Sequence, residues 1–152
     1  MEIRVVESDE EKKAVSRKIL EALTDWFAVE ENREAYIMKS PGKKFIAAYE
    51  GDSAVGFLYL SQTGRETVEI AVMGVLQEFH RHGVGKKLVE KAKEVAKDAG
   101  YSFMQVKTVK LGMYEDYDRT NYFYQSLGFK EFEMMPLLWD EANPCQIYVM
   151  AL

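Results

Sequence analysis

A glycine-rich segment reads Gln77-Glu78-Phe79-His80-Arg81-His82-Gly83-Val84-Gly85-Lys86, and regular patterns lie on both sides of it. The apolar run at 70–76 precedes it and has the length of a strand. After it, apolar residues recur at helical spacing up to Gly100, with lysines and glutamates mainly on the other side. A strand, a tight turn and a helix in this order direct free backbone N–H groups and the positive helix end at one point. We therefore expect an anion site, and phosphate is its usual occupant.

Two common phosphate-binding motifs fit this segment poorly. A Walker loop requires Gly where the chain has His80, and Ser or Thr where it has Lys87. The dinucleotide fingerprint Gly-x-Gly-x-x-Gly matches at Gly83 and Gly85, but Leu88 occupies the position of the third glycine. These mismatches disfavour a nucleotide-binding domain. A plain strand–turn–helix, whose glycines only permit tight geometry, remains an alternative.

The composition is that of an ordinary single domain. The chain has 152 residues, with 20 basic and 25 acidic side chains, so the net charge is 20 − 25 = −5. This balance does not favour a nucleic-acid partner, which would require a basic face. The only cysteine, Cys145, excludes an internal disulfide and a Cys-rich zinc site, and we interpret it as a small apolar residue. The chain shows no signal pattern and no membrane-length apolar run, so we expect a cytoplasmic location and no membrane contact.

Periodicity and turn residues predict the other elements. The predicted strands cover residues 2–6, 44–49, 54–61, 67–75, 101–109, 129–135 and 146–151. The predicted helices cover 9–23, 30–38 and 119–127, in addition to the helix that follows Gly83. We interpret 110–117 as a loop and 136–144 as a connector. No linker or internal repeat is visible, which indicates one domain. The order of strands and helices predicts a mixed sheet with helices packed on it.

The glycine-rich segment resembles the acyl-CoA pyrophosphate loop of the GNAT superfamily of N-acetyltransferases, Gln/Arg-x-x-Gly-x-Gly/Ala. The match begins at His80, which replaces the usual Gln or Arg, and ends at Gly85. A second match, Phe123-Tyr124-Gln125-Ser126-Leu127-Gly128-Phe129, is similar to the family's Phe-Tyr-x-x-x-Gly-Phe pattern. The helix that carries this pattern usually opens with Asn-x-x-Ala. This chain has Tyr117 and Thr120 at those two positions.

Other segments look like a little-characterised bacterial branch of the same superfamily. They are Val106-Lys107-Thr108-Val109, Arg119-Thr120, Pro136-Leu137-Leu138-Trp139 and Asn143-Pro144-Cys145. Together the matches cover most of residues 54–150. The resemblance implies an α/β (α+β) fold formed by a single GNAT domain over residues 1–152. Such a domain has a mixed, mostly antiparallel central sheet of about seven strands, flanked by about four helices.

The resemblance also implies an activity, in which the acetyl group of acetyl-CoA moves to an amine by direct attack in a ternary complex. Acetyl-CoA is the expected co-substrate, and no metal is expected, since His80 and His82 have no third ligand nearby. Gly74, inside a strand, suits a bulge or a close backbone approach. The implied cofactor-binding residues are Met73, Gly74 and Val75 at the thioester and pantetheine, and His80, Arg81, His82, Gly83, Val84, Gly85 and Lys86 at the pyrophosphate.

Two side chains are candidates for the acid–base steps. Glu69 lies on the central strand, eleven residues before His80, where the histone-acetylating members of the family have a catalytic Glu. It is the candidate base; the alternatives are a strand charge that faces solvent or pairs with Lys107, and deprotonation through water. Tyr124 is the candidate acid for the leaving thiolate. The alternative for Tyr124 is a tyrosine that only packs between helix and sheet.

The acceptor amine is not identified by the sequence. We expect its pocket to involve segments 26–38, 61–67 and 110–117, with core packing as the alternative for the aromatic residues there. Exposed apolar residues at 137–139 would form a patch for a homodimer. The aromatic and apolar candidates for the acceptor pocket are Trp26, Phe27, Tyr36 and Met38.

A different class of function also stays open, a non-catalytic acyl-CoA-binding module that regulates a partner.

Overall fold

The computed structural model describes all 152 residues and contains seven strands and four helices. The strands are β1 (Glu2–Val6), β2 (Lys44–Glu50), β3 (Ser53–Gln62), β4 (Thr67–Val75), β5 (Phe103–Val109), β6 (Lys130–Asp140) and β7 (Asn143–Ala151). The helices are α1 (Asp9–Ala22), α2 (Glu30–Lys39), α3 (Val84–Asp98) and α4 (Glu115–Ser126). A short 3-10 turn, Gln77–Phe79, precedes α3. None of the helices combines the length and the apolar character needed to cross a membrane.

The strands form one sheet in the order β1-β2-β3-β4-β5-β7-β6. Every neighbouring pair is antiparallel except β4 and β5, which are parallel and are connected through α3. A parallel pair needs such a crossover, because its second strand must start at the same end of the sheet as the first. The mixed, mostly antiparallel sheet with four helices confirms the predicted fold class.

The core has two layers, one on each face of the sheet. On one face Leu88 of α3 packs with Leu58 in a cluster that also includes residues of α4. On the other face Ile19 of α1 packs with Phe57 and Tyr59, and α2 contributes to the same cluster. Because successive residues of a strand point to opposite faces, neighbours in β3 supply both layers.

Strand β4 contains a bulge that reverses this alternation. Tyr59 of β3 pairs with Val72, whereas the next residue, Leu60, pairs with Ile70. Ala71 is therefore the extra residue of the bulge. As a result, Ile70 packs in the layer of α3 and α4, while Val72 packs in the layer of α1 and α2.

Gly74 lies beyond this bulge and permits a close approach instead. A Cβ atom built at Gly74 would lie 2.9 Å from Ile19 Cγ2 and 3.0 Å from Leu23 Cδ1. Of the two uses expected for this glycine, the structure therefore shows close packing, here against the end of α1. The bulge itself lies at Ala71.

Helix α4 begins at Glu115, so the predicted start at Arg119 was wrong. Residues 115–118 show no apolar periodicity, which is why the sequence suggested a loop. Acidic side chains in the first turn are favourable near the positive end of a helix dipole. Glu115 and Asp116 also form ion pairs with Arg119, one turn later.

The connector predicted at 136–144 was also wrong, because β6 extends to Asp140 and β7 begins at Asn143. The register between β6 and β7 shifts between Met135 and Asp140. Pro136 lies within this irregular part, and Pro144 lies on β7 opposite it. Proline has no backbone N–H, and at these positions no regular hydrogen bond between the strands is lost. The two strands therefore form one long hairpin, with β6 at the edge of the sheet.

Candidate active site

A cleft opens in the middle of the sheet because β4 and β5 pair only at their first residues. Beyond Glu69 the two strands separate; β4 stays paired with β3, and β5 stays paired with β7. The edge of β4 that faces β5 has no strand partner there, so its backbone polar groups need other partners. The paired positions are Thr67 with Phe103, Val68 with Met104 and Glu69 with Gln105.

The glycine-rich loop lies after β4 and presents unpaired backbone donors. The N–H of Lys87 donates to Gly83 O as the first helical bond, whereas no backbone N–H from 81 to 86 donates to a backbone acceptor. Arg81 and Gly83 have φ of 66° and 77°, and Arg81 is the only residue other than glycine with positive φ. The first turn of α3 contains no acidic side chain. Such a nest of N–H groups at a helix start favours an anion.

Gly85 allows this loop to pack closely on the elements below it. A Cβ atom at Gly85 would lie 2.9 Å from Phe123 Cζ of α4 and 3.1 Å from Met73 Cε of β4. Val84 is buried in the core, so it can face a ligand only through its backbone. The spacing of the two glycines thus reflects a φ requirement at Gly83 and a packing requirement at Gly85.

His80 connects the loop to its surroundings. Its Nε2 lies 2.7 Å from Val75 O, and because a carbonyl only accepts, this nitrogen carries the hydrogen. Its ring also meets the ring of Trp26 edge-on, with 5.5 Å between the centroids. The exposed Arg81, His82 and Lys86 side chains lie around the free N–H groups of the loop. His80 thus fixes the loop to the end of β4.

Tyr124 is enclosed by aromatic rings, and its hydroxyl makes no hydrogen bond within the protein. The side chain packs against Phe123, Phe129 and Tyr148, and burial raises the pKa of Tyr124 above its ordinary value. All fully buried side-chain polar atoms have hydrogen-bond partners. The Tyr124 hydroxyl has no such partner in the protein, so it keeps some solvent contact although the residue as a whole is only 7% exposed. Both sequence interpretations are therefore compatible with its position.

Glu69 lies at the point where β4 and β5 separate, and it pairs with Lys107 of β5. The Lys107 Nζ donates to Glu69 Oε1. The Glu69 side chain is 16% exposed and the Lys107 side chain is 26% exposed, so the pair is largely but not fully withdrawn from water. The structure thus shows the pairing that was one of the alternatives for Glu69. Nearby, burial raises the pKa of the Cys145 thiol, although the Lys107 charge lowers it in part and the Glu69 charge adds a smaller increase. The raised pKa opposes a nucleophilic role.

Tyr36 lies within range of the Glu69 charge, and Tyr117 lies near Tyr36. Burial, and secondarily the Glu69 carboxylate, raise the pKa of Tyr36. Burial, and secondarily Tyr36, raise the pKa of Tyr117, whose hydroxyl donates to Trp26 O at 3.1 Å. The loop between α1 and α2 therefore meets the start of α4 on the side of the cleft that contains Glu69.

The other residues predicted to line the acceptor pocket do not all lie in this region. Phe27 packs edge-on against Tyr36 at 6.2 Å, but Met38 points to solvent with 56% exposure and does not line this region. The turn between β3 and β4 contacts the start of β5, where Gln105 Nε2 donates to Thr63 Oγ1. The turn therefore lies at the paired end of the two strands.

One important polar residue, Asn121, was missed in the sequence. It is fully buried, its Nδ2 donates to Val109 O at 2.8 Å and to Tyr117 O at 2.7 Å, and its Oδ1 accepts from the Tyr148 hydroxyl. These bonds fix α4 against β5 and β7 and thereby position Tyr124 one turn later. The available signal was a polar residue three positions before Tyr124, on the same helix face.

The comparisons with known proteins agree with this architecture. Residues 41–131 match the family model of the acetyltransferase (GNAT) domain. An uncharacterized N-acetyltransferase of Chlorobaculum tepidum is 29% identical over 104 residues, which cover 66% of this chain and 60% of that protein. The aligned part thus spans less than two thirds of that relative's length.

Two solved structures have the same fold. A putative acetyltransferase of the GNAT family from Desulfovibrio desulfuricans has a TM-score of 0.80 and 16% identity, over 99% of this chain and 98% of that chain. A GNAT family acetyltransferase from Elizabethkingia anophelis, with acetyl-CoA bound, has a TM-score of 0.70 and 19% identity, over 87% and 89% of the two chains. Since the family model covers more than half of the sequence, the chain belongs to the GNAT family of acetyltransferases.

Proposed function

We propose that this chain is an N-acetyltransferase that moves the acetyl group of acetyl-CoA to an amine by direct attack in a ternary complex. The observation that supports it best is the loop at 81–86, whose backbone N–H groups are free at the start of α3. This loop follows the strand that lines the open cleft, after one 3-10 turn. A diphosphate fits such a set of donors, and an extended chain fits the unpaired edge of β4.

The proposed contacts of acetyl-CoA divide between backbone and side chains. The N–H groups from Arg81 to Lys86 would hold the pyrophosphate, with charge added by exposed side chains of the loop. Met73, Gly74 and Val75 would contact the pantetheine and the thioester through their main chain. His80 would act indirectly, because its ring is already bonded to Val75 O. Met73 also packs beside Gly85, so the loop and the strand form one continuous surface.

The transfer requires two proton movements. The amine nitrogen attacks the thioester carbonyl, the new C–N bond forms and the C–S bond breaks. Glu69 would accept the proton of the acceptor ammonium, directly or through water, after release from Lys107. Tyr124 would donate its proton to the leaving sulfur and would regain one from the second proton that the nitrogen loses as the amide forms. Since burial raises the pKa of Tyr124, its hydroxyl stays protonated at neutral pH, as this role requires.

A non-catalytic acyl-CoA-binding module is the second candidate. Three positions favour it, His80, Tyr117 and Thr120, where the sequence departs from the family pattern. The engagement of Glu69 by Lys107 also favours it, because the candidate base is not free. Turnover separates the two functions: a binding module would retain acetyl-CoA and release no CoA when amines are added.

The first test is a thermal shift with acetyl-CoA, CoA, ATP and NAD. A ligand at a hundredfold excess over its Kd stabilises the folded state by about 3 kcal/mol. We expect both CoA species to raise the Tm and the two nucleotides to leave it unchanged. A Gly85→Ala variant should lose the shift, because its Cβ would displace Phe123. Gly64→Ala is the control, since a Cβ there meets nothing closer than 3.9 Å.

Thiol release with a panel of amines then tests the transfer itself. CoA release that depends on the amine supports the transferase. A CoA-specific thermal shift without release for any amine would favour the binding module. The absence of a shift with both CoA species would overturn the assignment of the loop.

A further inference from the structure

The ion pair between Glu69 and Lys107 carries information about the acceptor. It is the one ion pair at the point where β4 and β5 separate, and the Lys107 ammonium has no second carboxylate within 4.0 Å. Both groups are largely withdrawn from water. Removal of one partner from such a pair leaves the other charge partly buried without compensation, which is more unfavourable than exchange for a new partner.

The proposed chemistry disturbs this pair, and the inference rests on that proposed function. To accept a proton from an acceptor ammonium, Glu69 must leave Lys107. An acceptor with only an amine would compensate Glu69 but leave the Lys107 charge without a partner. An acceptor with an amine and a nearby carboxylate would compensate both, since its ammonium would meet Glu69 and its carboxylate would meet Lys107. All four charges then remain paired.

We propose that the acceptor is an amine with a carboxylate a few bonds from its nitrogen, the arrangement found in an amino acid. Lys107 then determines specificity by binding the acceptor carboxylate. Tyr36, Tyr117 and Trp26, on the same side of the cleft, would supply the apolar and aromatic contacts for the rest of the acceptor. Acceptor selection and proton removal are thereby coupled through one pair of side chains.

The acidic residues next to Tyr117 support this choice over a polycationic acceptor. Glu115 and Asp116 pair with Arg119, and Asp118 accepts a hydrogen bond from the Gly112 N–H at 2.8 Å. These carboxylates are thus already engaged within the chain. An acceptor with several ammonium groups would find Glu69 at the base of the cleft but also meet the positive charge of Lys107, which repels it.

The experiment compares amino acids with the amines that lack their carboxylate. The acceptors are tyrosine with tyramine, phenylalanine with phenethylamine, and leucine with isoamylamine, each with acetyl-CoA and detection of free CoA thiol. We expect kcat/KM for the amino acid to exceed that of its matched amine by about tenfold or more. The preference should appear mainly in KM, because Lys107 binds the acceptor and does not react.

Three variants test the assignment to Lys107. Lys107→Met removes the charge at similar length, so the ratio of the two kcat/KM values should fall to about one. Lys107→Arg keeps the charge and should keep the preference. Lys97→Met, an exposed lysine in the last turn of α3, is the matched control and should change nothing. The thermal shift with acetyl-CoA verifies that each variant is folded and binds the donor.

The outcomes separate this inference from the proposed function. Equal or faster acetylation of the matched amines by the unmodified chain would overturn the inference, while the transferase would stand. An unchanged preference in a folded Lys107→Met variant would also overturn it. If none of the six acceptors releases CoA but other amines do, the amino-acid class is wrong. If no amine releases CoA at all, the transferase itself is overturned.

Discussion

At the scale of single residues, Tyr124 combines two properties that a proton donor to a leaving thiolate needs. Its ring is fixed by aromatic neighbours, and its hydroxyl is not consumed by another protein group. Burial raises its pKa, so the hydroxyl keeps its proton at neutral pH. A structural tyrosine would show the first property, but its hydroxyl would usually be bonded when buried.

Tyr124→Phe should therefore lower kcat without weakening the binding of acetyl-CoA. We expect a decrease of about a hundredfold, the usual size for the loss of a general acid. The Kd of acetyl-CoA, measured by calorimetry, should stay within about twofold, since the ring still packs. Tyr122→Phe is the control, because Tyr122 lies on the same helix but is 60% exposed. A parallel loss of affinity and turnover in Tyr124→Phe would indicate a packing role.

Glu69→Gln tests the base. If Glu69 accepts the proton, the variant should lose one ionisation from the acidic limb of the kcat/KM profile, and kcat should fall by about a hundredfold. The amide still accepts a hydrogen bond from Lys107, so the fold should persist. The pH profile is measured under conditions where acetyl-CoA saturates. A profile with an unchanged shape would assign the deprotonation to water.

The sequence predicted residues that act through the backbone better than residues that act through tertiary contacts. Gly83 and Gly85 were recognisable because their spacing reports a local turn, and the structure confirms that they lie at the start of α3. The bond of His80 to Val75 and the three bonds of Asn121 depend on which strands lie beside them. No local pattern contains that information. The pairing of Glu69 with Lys107 could be stated only as an alternative, because it requires the register of β4 on β5.

At the scale of elements, the bulge at Ala71 determines how β4 serves both layers and the cleft. It places Gly74 towards α1 and leaves Met73 on the side of α3 and α4. The sequence predicted β4 correctly from 67 to 75, but a bulge has no reliable signature when the extra residue is alanine. The start of α4 and the hairpin of β6 and β7 were missed for a related reason. Neither segment has the apolar periodicity that marks a helix or a strand in a sequence.

Gly74→Ala should destabilise the fold by about 1–3 kcal/mol, because its Cβ would enter the space of Ile19 and Leu23 at 2.9 and 3.0 Å. Urea unfolding followed by circular dichroism measures this free energy. The lower free energy of unfolding should appear as a lower midpoint urea concentration, while the dependence of that free energy on urea stays unchanged. Gly64→Ala is again the control, with no contact below 3.9 Å. Equal stability of the two variants would show that α1 can move away from β4 without penalty.

At the scale of the whole molecule, two groups of strands are connected through a short ladder. Strands β1 to β4 form one group and β5 to β7 the other, joined by three paired positions of β4 and β5. Contacts above the cleft supplement this ladder, such as the bond from Tyr117 to Trp26. The family resemblance predicted this architecture, whereas periodicity alone predicted only a mixed sheet. The cytoplasmic location and the homodimer stay predictions.

The homodimer is predicted at the free edge of the sheet. Strand β6 is the outermost strand, and Phe132 and Leu137 on it are 68% and 74% exposed. Leu138 and Trp139 are each 46% exposed beside them. An edge strand with unpaired backbone groups and apolar side chains favours association with another strand. The charged residues Lys130, Glu131 and Glu133 disfavour pairing with another strand only along the first part of this edge.

Leu137→Glu should therefore shift the chain from dimer to monomer, since it places a charge within the proposed contact. Sedimentation equilibrium at several concentrations measures the change in the association constant. Val5→Glu is the control, because Val5 is 40% exposed on β1, the opposite edge of the same sheet. It should leave the association constant unchanged. A monomeric unmodified chain at every concentration would contradict the prediction, and equal dissociation by Val5→Glu would place the contact elsewhere.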